Sequence, residues 1–189
     1  VNFMAGGFYQ DGRMSNKVRI MGNERVGLPG VIQFMRHDID IRSISVFGQL
    51  IWNLAPKLEL APGARWTHEK RVHIETNYNP NNGPVGIVPL LDPMIKSTNV
   101  SPEISLTYRA TDDLTVFGSY KQGFKSGSFN GLNYISPTTR SSFGDEKVEG
   151  GEVGIKSRLF NHTLALNAAG YYYHYTVITG RNREALRLH

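Results

Sequence analysis

The stretch Ser101–Asn130 constrains the fold most, because two alternating runs flank a short aspartate-containing turn at 111–113. In the first run, Ile104, Leu106 and Tyr108 share one face, and polar side chains occupy the other. Alternation with a period of two on both sides of such a turn predicts a β-hairpin. Each arm has about ten residues or more, the length that a tilted strand needs to cross a lipid bilayer. The stretch therefore predicts two strands of a transmembrane β-barrel.

Two further hairpins show the same alternation, with short turns near residues 55 and 161. A strand at 1–10 precedes them, which makes about seven strands. Long polar segments separate the hairpins and are predicted loops: Asp11–Arg42, Glu69–Asn99 and Ser126–Asp145. Short turns at one end and long loops at the other are typical of outer-membrane barrels, with their brief periplasmic turns and long extracellular loops. One strand contains Pro62, which predicts a bulge or local bend.

The predicted fold class is therefore all-β: an antiparallel transmembrane β-barrel segment of about seven strands. It extends over residues 1–176, and residues 177–189 form an unassigned C-terminal tail, because the alternation ends there. A soluble β-sandwich would alternate in the same way, with its apolar face as the core. Strand length, the one-sided loops and the abundance of glycine and tyrosine favour the barrel.

Charged side chains are confined to one face of the hairpin strands. A basic side chain on the lipid face costs roughly 2–4 kcal/mol at mid-bilayer, so these charges are predicted to face the lumen. They are Lys57, Glu59, Arg65, Glu103, Arg109, Lys121, Glu152, Lys156 and Arg158. Trp52 and Trp66 lie near opposite ends of their hairpin arms, as expected for the aromatic girdles at the two membrane interfaces.

Composition excludes several kinds of site. The 189 residues include no cysteine, which rules out disulfides and cysteine metal sites. The 21 basic residues are dispersed among 16 acidic ones, so nucleic-acid binding is not expected. No nucleophile elbow occurs, and none of the six histidines has metal-ligand spacing on a predicted helix. We predict no catalytic residue, no metal site and no cofactor, and we interpret His37 with Asp38 and Asp40 as part of a solvated loop.

Three segments resemble the barrel of TonB-dependent outer-membrane receptors: Ser45–Arg71, Ser101–Asn130 and Glu146–Tyr175, in the family's order and spacing. The run Gly-Phe-Lys-Ser-Gly at Gly123–Gly127 is a specific part of this resemblance. At Gly150-Gly151 the family usually has bulkier residues, a departure that a bulge would accommodate.

The resemblance implies a place in the cell outer membrane and energy-coupled uptake of a siderophore–iron complex or another large nutrient. It implies four partners: outer-membrane lipid, a plug domain of the same full-length chain, the inner-membrane TonB energy-coupling complex, and a small-molecule or metal-chelate ligand. The coupling complex would be reached through an N-terminal part that is missing here, so the chain is expected to be an internal fragment. A passive porin-like barrel or adhesin and a soluble carbohydrate-binding β-sandwich are the alternatives.

The same resemblance assigns candidate site residues. Ligand contacts are expected from aromatic, amide and cationic groups on the predicted extracellular loops, namely Tyr78, Asn79, Phe129, Asn133, Tyr134 and Arg140. Contacts with the plug or lumen water are expected from wall charges, namely Arg65, Arg109, Lys121, Glu152 and Lys156.

Overall fold

The chain folds into antiparallel strands throughout most of its length. The computed structural model describes residues 1–28, 30–78, 86–87, 90–130 and 142–178. The strands are β1 (Asn2–Met21), β2 (Val31–Ala55), β3 (Leu58–Tyr78), β4 (Gly86–Ile87), β5 (Met94–Thr111), β6 (Leu114–Lys125), β7 (Ser128–Phe129), β8 (Ser142–Phe143), β9 (Asp145–Leu159) and β10 (Leu164–Ile178). A 3-10 turn, Glu24–Val26, joins β1 to β2.

Seven long strands form one sheet in the order β1-β2-β3-β5-β6-β9-β10, and every neighbouring pair is antiparallel. The short β4 pairs with the far end of β3, and β7 pairs with β8 as a separate two-stranded sheet. The sheet curls into one side of a barrel, which confirms the predicted fold class. Among the described residues, no helix has the length and apolarity required to span a bilayer.

The strands are much longer than the alternation predicted, so the three loop predictions need correction. Most of Asp11–Arg42 belongs to β1 and β2, which pair from Asn2↔Ile51 to Met21↔Val31. The first third of Glu69–Asn99 continues β3, and its end begins β5. Within Ser126–Asp145, the described residues include β7, β8 and the first residue of β9. β10 likewise runs to Ile178, two residues past the predicted end of the barrel segment at 176, and 179–189 lie outside the described residues.

The sequence pattern underestimates the length of the strands because the apolar and polar faces of β2 change sides along the strand. Between Ile44 and Leu54 the apolar side chains point outward, whereas Met35 and Ile39 point inward and are buried. At that level the outward positions carry charges that pair across β1 and β2: Arg13 Nη2 lies 3.0 Å from Asp40 Oδ2, and Arg42 Nε lies 3.1 Å from Asp11 Oδ2. A charged outer face needs water, so β1 and β2 continue beyond the membrane.

An exposed apolar band crosses the outer face of the sheet. Its members include Ile44, Val46, Leu50, Trp52, Trp66, Val100, Ile104, Leu106, Tyr108, Val116, Val153, Ile155, Leu164 and Leu166. From Ile44 to Leu54, at about 3.3 Å per residue and a strand tilt of about 40°, the band is about 25 Å high, the height of a barrel's lipid-facing surface. Trp52 and Tyr108 lie near the short turns, and Tyr9 and Trp66 lie toward the opposite edge.

The short turns close the hairpins where the sequence predicted. β2 and β3 are separated by Pro56 and Lys57, and β5 and β6 by Asp112 and Asp113. In the third turn, Phe160, Asn161 and His162 all have positive φ, between 50° and 67°. This conformation is costly for a residue with a side chain.

The predicted bulges at Pro62 and at Gly150-Gly151 do not form. The pairs Gln49↔Gly63 and Trp52↔Leu60 keep one register on either side of Pro62, and the irregularity of this ladder lies between Asn53 and Ala55 instead. Pro62 lacks an N–H, so the ladder loses hydrogen bonding there without inserting a residue. Gly150 and Gly151 also pair in unbroken register with both neighbouring strands.

Candidate ligand chamber on the concave face

The concave face of the sheet carries the charges that the lipid face excludes. Since successive strand residues point to opposite sides, the outward apolar positions force the intervening residues inward. The predicted lumen charges Arg65, Arg109, Lys121, Glu152 and Lys156 all alternate with members of the apolar band. The sequence therefore predicted their side of the wall, but not their contacts with one another.

A recess of about 310 Å³ lies midway along this face, and it brings three of those five charges together. Its lining includes Lys121, Glu152 and Lys156 together with Glu103 and Phe117. The Lys156 ammonium lies 5.4 Å from the centroid of the Phe117 ring, within the range of a cation–π contact. Charges of both signs therefore line this recess.

Arg109 lies apart from this recess, near the short-turn end. Its Nη2 donates to Glu59 Oε2 at 3.0 Å, and the Arg109 and Glu59 side chains are 50% and 25% exposed. An ion pair this exposed contributes little to stability, so both groups keep the capacity to contact another part of the molecule.

A larger recess of about 670 Å³ lies farther from the short turns. Three cationic groups line it, from Arg65, Arg71 and Lys125, together with rings from Phe8, Phe47 and Phe124. Two carboxylates, Glu69 and Glu103, line it as well, and Arg71 Nε donates to Glu69 Oε1 at 2.6 Å. Arg65 Nη2 donates to Ser45 Oγ at 2.9 Å, and its guanidinium lies 5.8 Å from the Phe8 ring centroid. These contacts hold the guanidinium against the wall beside an open volume. We call this recess the upper chamber.

A segment at the end of β6 turns inward over the concave face. Asp145 Oδ1 accepts hydrogen bonds from Ser97 Oγ at 2.6 Å and from the Gly127 N–H at 2.8 Å, which ties the segment to β5. A Cβ on Gly127 would collide with the Phe143 carbonyl oxygen, so only glycine permits this close approach. Gly127, the last residue of the Gly-Phe-Lys-Ser-Gly run, thus has a packing role.

Phe129 is carried inward by this segment. Its side chain is 6% exposed, and its ring centroid lies 4.8 Å from that of His73. Among the other predicted ligand contacts, Tyr78 ends β3 with its side chain outside the described residues. Asn79, Asn133, Tyr134 and Arg140 also lie outside the described residues.

Beneath Phe129 lies a buried cluster that the sequence interpretation missed: His37 on β2, and His73 and Glu75 on β3. All three are at most 2% exposed. His37 Nδ1 lies 3.1 Å from His73 Nε2 and 3.9 Å from Glu75 Oε2. The signal was present as His-x-Glu, because residues two apart share one face of a strand. The prediction that His37 belongs to a solvated loop is wrong, because His37 is a buried residue of β2 and meets its partners through strand pairing and not through helical spacing.

The cluster lies beyond the apolar band, five positions past His68 on β3. Burial, and then the electrostatic effect of His37, lower the pKa of His73 from 6.5 to about 4. His73 is therefore neutral at neutral pH.

Comparison with known proteins identifies the architecture. The family model described as TonB dependent receptor-like, beta-barrel matches residues 1–178. The crystal structure of the ferric yersiniabactin uptake receptor FyuA from Yersinia pestis is similar in fold, with a TM-score of 0.75 and 18% sequence identity over 92% of this chain and 25% of that chain. The structure of the alcaligin outer-membrane receptor FauA from Bordetella pertussis matches with a TM-score of 0.49 and 15% sequence identity. This match covers 92% of this chain and 30% of that chain. None of the curated proteins matches the sequence significantly. The chain thus spans about a quarter of the FyuA chain's length.

Proposed function

The chain belongs to the TonB-dependent receptor-like β-barrel family of the outer membrane, and from this premise we propose that it forms part of a receptor for energy-coupled uptake of a siderophore–iron complex or another large nutrient. In this proposal the apolar band contacts outer-membrane lipid, and the concave face surrounds a plug domain of the same full-length chain. The TonB energy-coupling complex of the inner membrane drives transport.

The upper chamber is the observation that carries this proposal. Three cationic groups and three phenylalanine rings line one recess that opens into the lumen, where the cations outnumber the two carboxylates of Glu69 and Glu103. Ferric chelates with ionised carboxylate or catecholate arms present negative charge and flat apolar surface. Guanidinium groups bind such oxygens through charge-assisted hydrogen bonds, and aromatic rings bind the flat surface. The wall thus offers both kinds of contact that such a ligand requires.

The proposal also includes contacts of the extracellular loops with the ligand and contacts of the lumen charges with the plug. We assign ligand contact to Tyr78, Asn79, Asn133, Tyr134 and Arg140, and plug contact to Arg109, Lys121, Glu152 and Lys156. Phe129, the sixth predicted ligand contact, is buried against His73, so it would contact a ligand only if its segment moved away from the wall. For Arg65, the open volume beside its guanidinium supports ligand contact as well as the plug-facing role that its side of the sheet suggests. Each of these roles can be tested by substituting the residue concerned on its own.

The proposal is tested in cells that produce the complete receptor carrying this sequence, by measuring uptake of a panel of radiolabelled ferric chelates. We expect saturable uptake of one chelate class that stops when the proton-motive force is collapsed. Uptake that continues without the proton-motive force would indicate the passive barrel instead. The double substitution Arg65→Ala with Arg71→Ala should weaken chelate binding by tenfold or more, since charge-assisted hydrogen bonds contribute about 1.5–3 kcal/mol each.

Lys70→Ala is the matched control for this double variant. Lys70 is adjacent to Arg71 on β3 but points to the outer face, so the chelate should bind this variant as tightly as the unmodified receptor. If Lys70→Ala and the double variant weaken binding equally, the upper chamber is not the ligand site.

A further inference from the structure

We propose that His37, His73 and Glu75 form a binding site for a resident divalent transition-metal ion, Zn²⁺ in the first instance, in the wall beyond the membrane. The site is distinct from the upper chamber, since none of the three residues lines it. The ion is a component of the protein and not its transported ligand.

The sheet register brings the three side chains together. His37 pairs directly with Glu75 across β2 and β3, and His73 follows two positions away from Glu75 on the same face. Directly paired positions have their Cβ atoms about 4.5–5.5 Å apart, close enough for two side chains to share one ion. The two strands therefore place three ligands around one point without any contribution from a loop.

The distances suit a four-coordinate ion. Zinc–nitrogen and zinc–oxygen bonds of about 2.0–2.2 Å in a tetrahedron place ligand atoms about 3.3–3.5 Å from one another. The separations of 3.1 Å between the two ring nitrogens and 3.9 Å from His37 Nδ1 to Glu75 Oε2 fall on either side of this value. All three ligand atoms lie within 4.8 Å of one another. Binding of the ion requires the Glu75 carboxylate oxygen to move closer to the two ring nitrogens.

The chemistry of the donors also suits zinc. Two imidazoles and one carboxylate form a common zinc ligand set that leaves a fourth position for water. Metal ligation uses neutral imidazoles, so binding of the ion displaces any proton that the two rings carry. Sites built only from oxygen ligands suit magnesium or calcium instead, so the two imidazoles select a transition metal.

A hydrogen-bonded histidine pair is the alternative interpretation of the cluster. In that pair a proton between His37 Nδ1 and His73 Nε2 takes the place of the ion. The outer ring nitrogens, His37 Nε2 and His73 Nδ1, are buried without a hydrogen-bond partner among the described residues. An ion at the facing nitrogens leaves these two atoms unchanged, so the choice between the pair and the ion rests on the three-ligand geometry and on the metal-binding measurement below.

The test is Zn²⁺ binding by the complete, folded receptor in detergent after removal of metals, measured by competition with a chromophoric chelator. We expect one saturable site per molecule in the micromolar range or tighter. The variants His37→Asn, His73→Asn and Glu75→Gln should each bind at least tenfold more weakly. His68→Asn is the matched control, because His68 lies on the same strand but faces outward, where it hydrogen-bonds Thr98. Equal affinity in the three ligand variants and the unmodified receptor would overturn the proposal.

A second measurement needs no substitution and so does not depend on whether the variants fold. Co²⁺ bound to the unmodified receptor should give the intense visible absorption of tetrahedral coordination, and X-ray absorption of the Zn²⁺ form should show two imidazole nitrogens at about 2.0–2.1 Å. A spectrum with fewer than two imidazoles would exclude the site. Neither measurement involves transport, so failure here is distinguishable from failure of the proposed uptake function.

Discussion

Phe117 on β6 lies directly opposite Gly154 on β9, and its ring occupies the space that a side chain at position 154 would need. The same relationship joins Phe47 to Gly6 across β1 and β2. Gly150 on β9 lies opposite Tyr173 on β10, but there a Cβ would collide first with the Tyr172 carbonyl oxygen, so the backbone of the neighbouring strand, and not a ring, leaves no space for a side chain. All three glycines lie on the concave face.

Gly154→Ala should destabilise the barrel. A Cβ at this position would overlap the Phe117 ring and lie 2.9 Å from the Ala168 carbonyl oxygen, and overpacking of this kind costs about 1–3 kcal/mol. The check is urea-induced unfolding of the complete receptor in lipid vesicles. Gly118→Ala is the control, since the nearest atom to its new Cβ would be 3.8 Å away. Equal midpoints for the two variants would contradict the packing role of Gly154.

Asp145→Ala should release the inward segment from the wall. The substitution removes the acceptor of the Ser97 hydroxyl and of the Gly127 N–H, so hydrogen exchange around 126–129 should accelerate at least tenfold. The adjacent Glu146 provides the comparison, because its ion pair with Lys125 at 3.0 Å is largely exposed. Glu146→Ala should change the exchange of this segment by less than threefold. The anchoring role of Asp145 is refuted if both variants exchange alike.

Leu106→Arg should impair insertion of the barrel. Leu106 belongs to the middle of the apolar band, where an arginine costs roughly 2–4 kcal/mol. The neighbouring Ser105 faces inward and lines the smaller recess, so Ser105→Arg should insert normally. The fraction of folded barrel, measured by the heat-dependent shift in gel mobility, distinguishes the two. If Ser105→Arg proves the more harmful variant, the assignment of the two faces is reversed.

Arg109→Glu tests whether the lumen charges contact a plug. The substitution places a carboxylate beside Glu59 and removes a cation from the lumen, so ligand-driven release of the plug should change. The double variant Glu59→Arg with Arg109→Glu restores the ion pair within the wall but reverses its direction. If Arg109 serves the plug, release should stay altered in the double variant. If the double variant releases the plug as the unmodified receptor does, Arg109 acts only through its ion pair with Glu59.

The sequence alone determined the strand class, the three short turns and the two faces of the wall. Alternation around Val46 or Leu106 decides these features, since one face of a membrane strand must be apolar and a slip of one residue would reverse every side chain. The same reasoning assigned Arg65, Lys121 and Lys156 to the lumen. It underestimated strand length where the outer face becomes charged, as at Asp11 and Asp40, because the hydrophobic pattern ends there although the hydrogen-bonded ladder continues.

Only the tertiary structure decided which distant residues meet. His37 and His73 are 36 residues apart, and they come within 3.1 Å because the hairpin turn and ladder fix His37 opposite Glu75. Asp145 meets Ser97, 48 residues earlier, because the chain turns inward after β6. A period-two pattern records the side of a strand on which a residue lies. It does not record the position along the neighbouring strand that this residue faces, since that is set by the register of backbone hydrogen bonds, which all residues form alike.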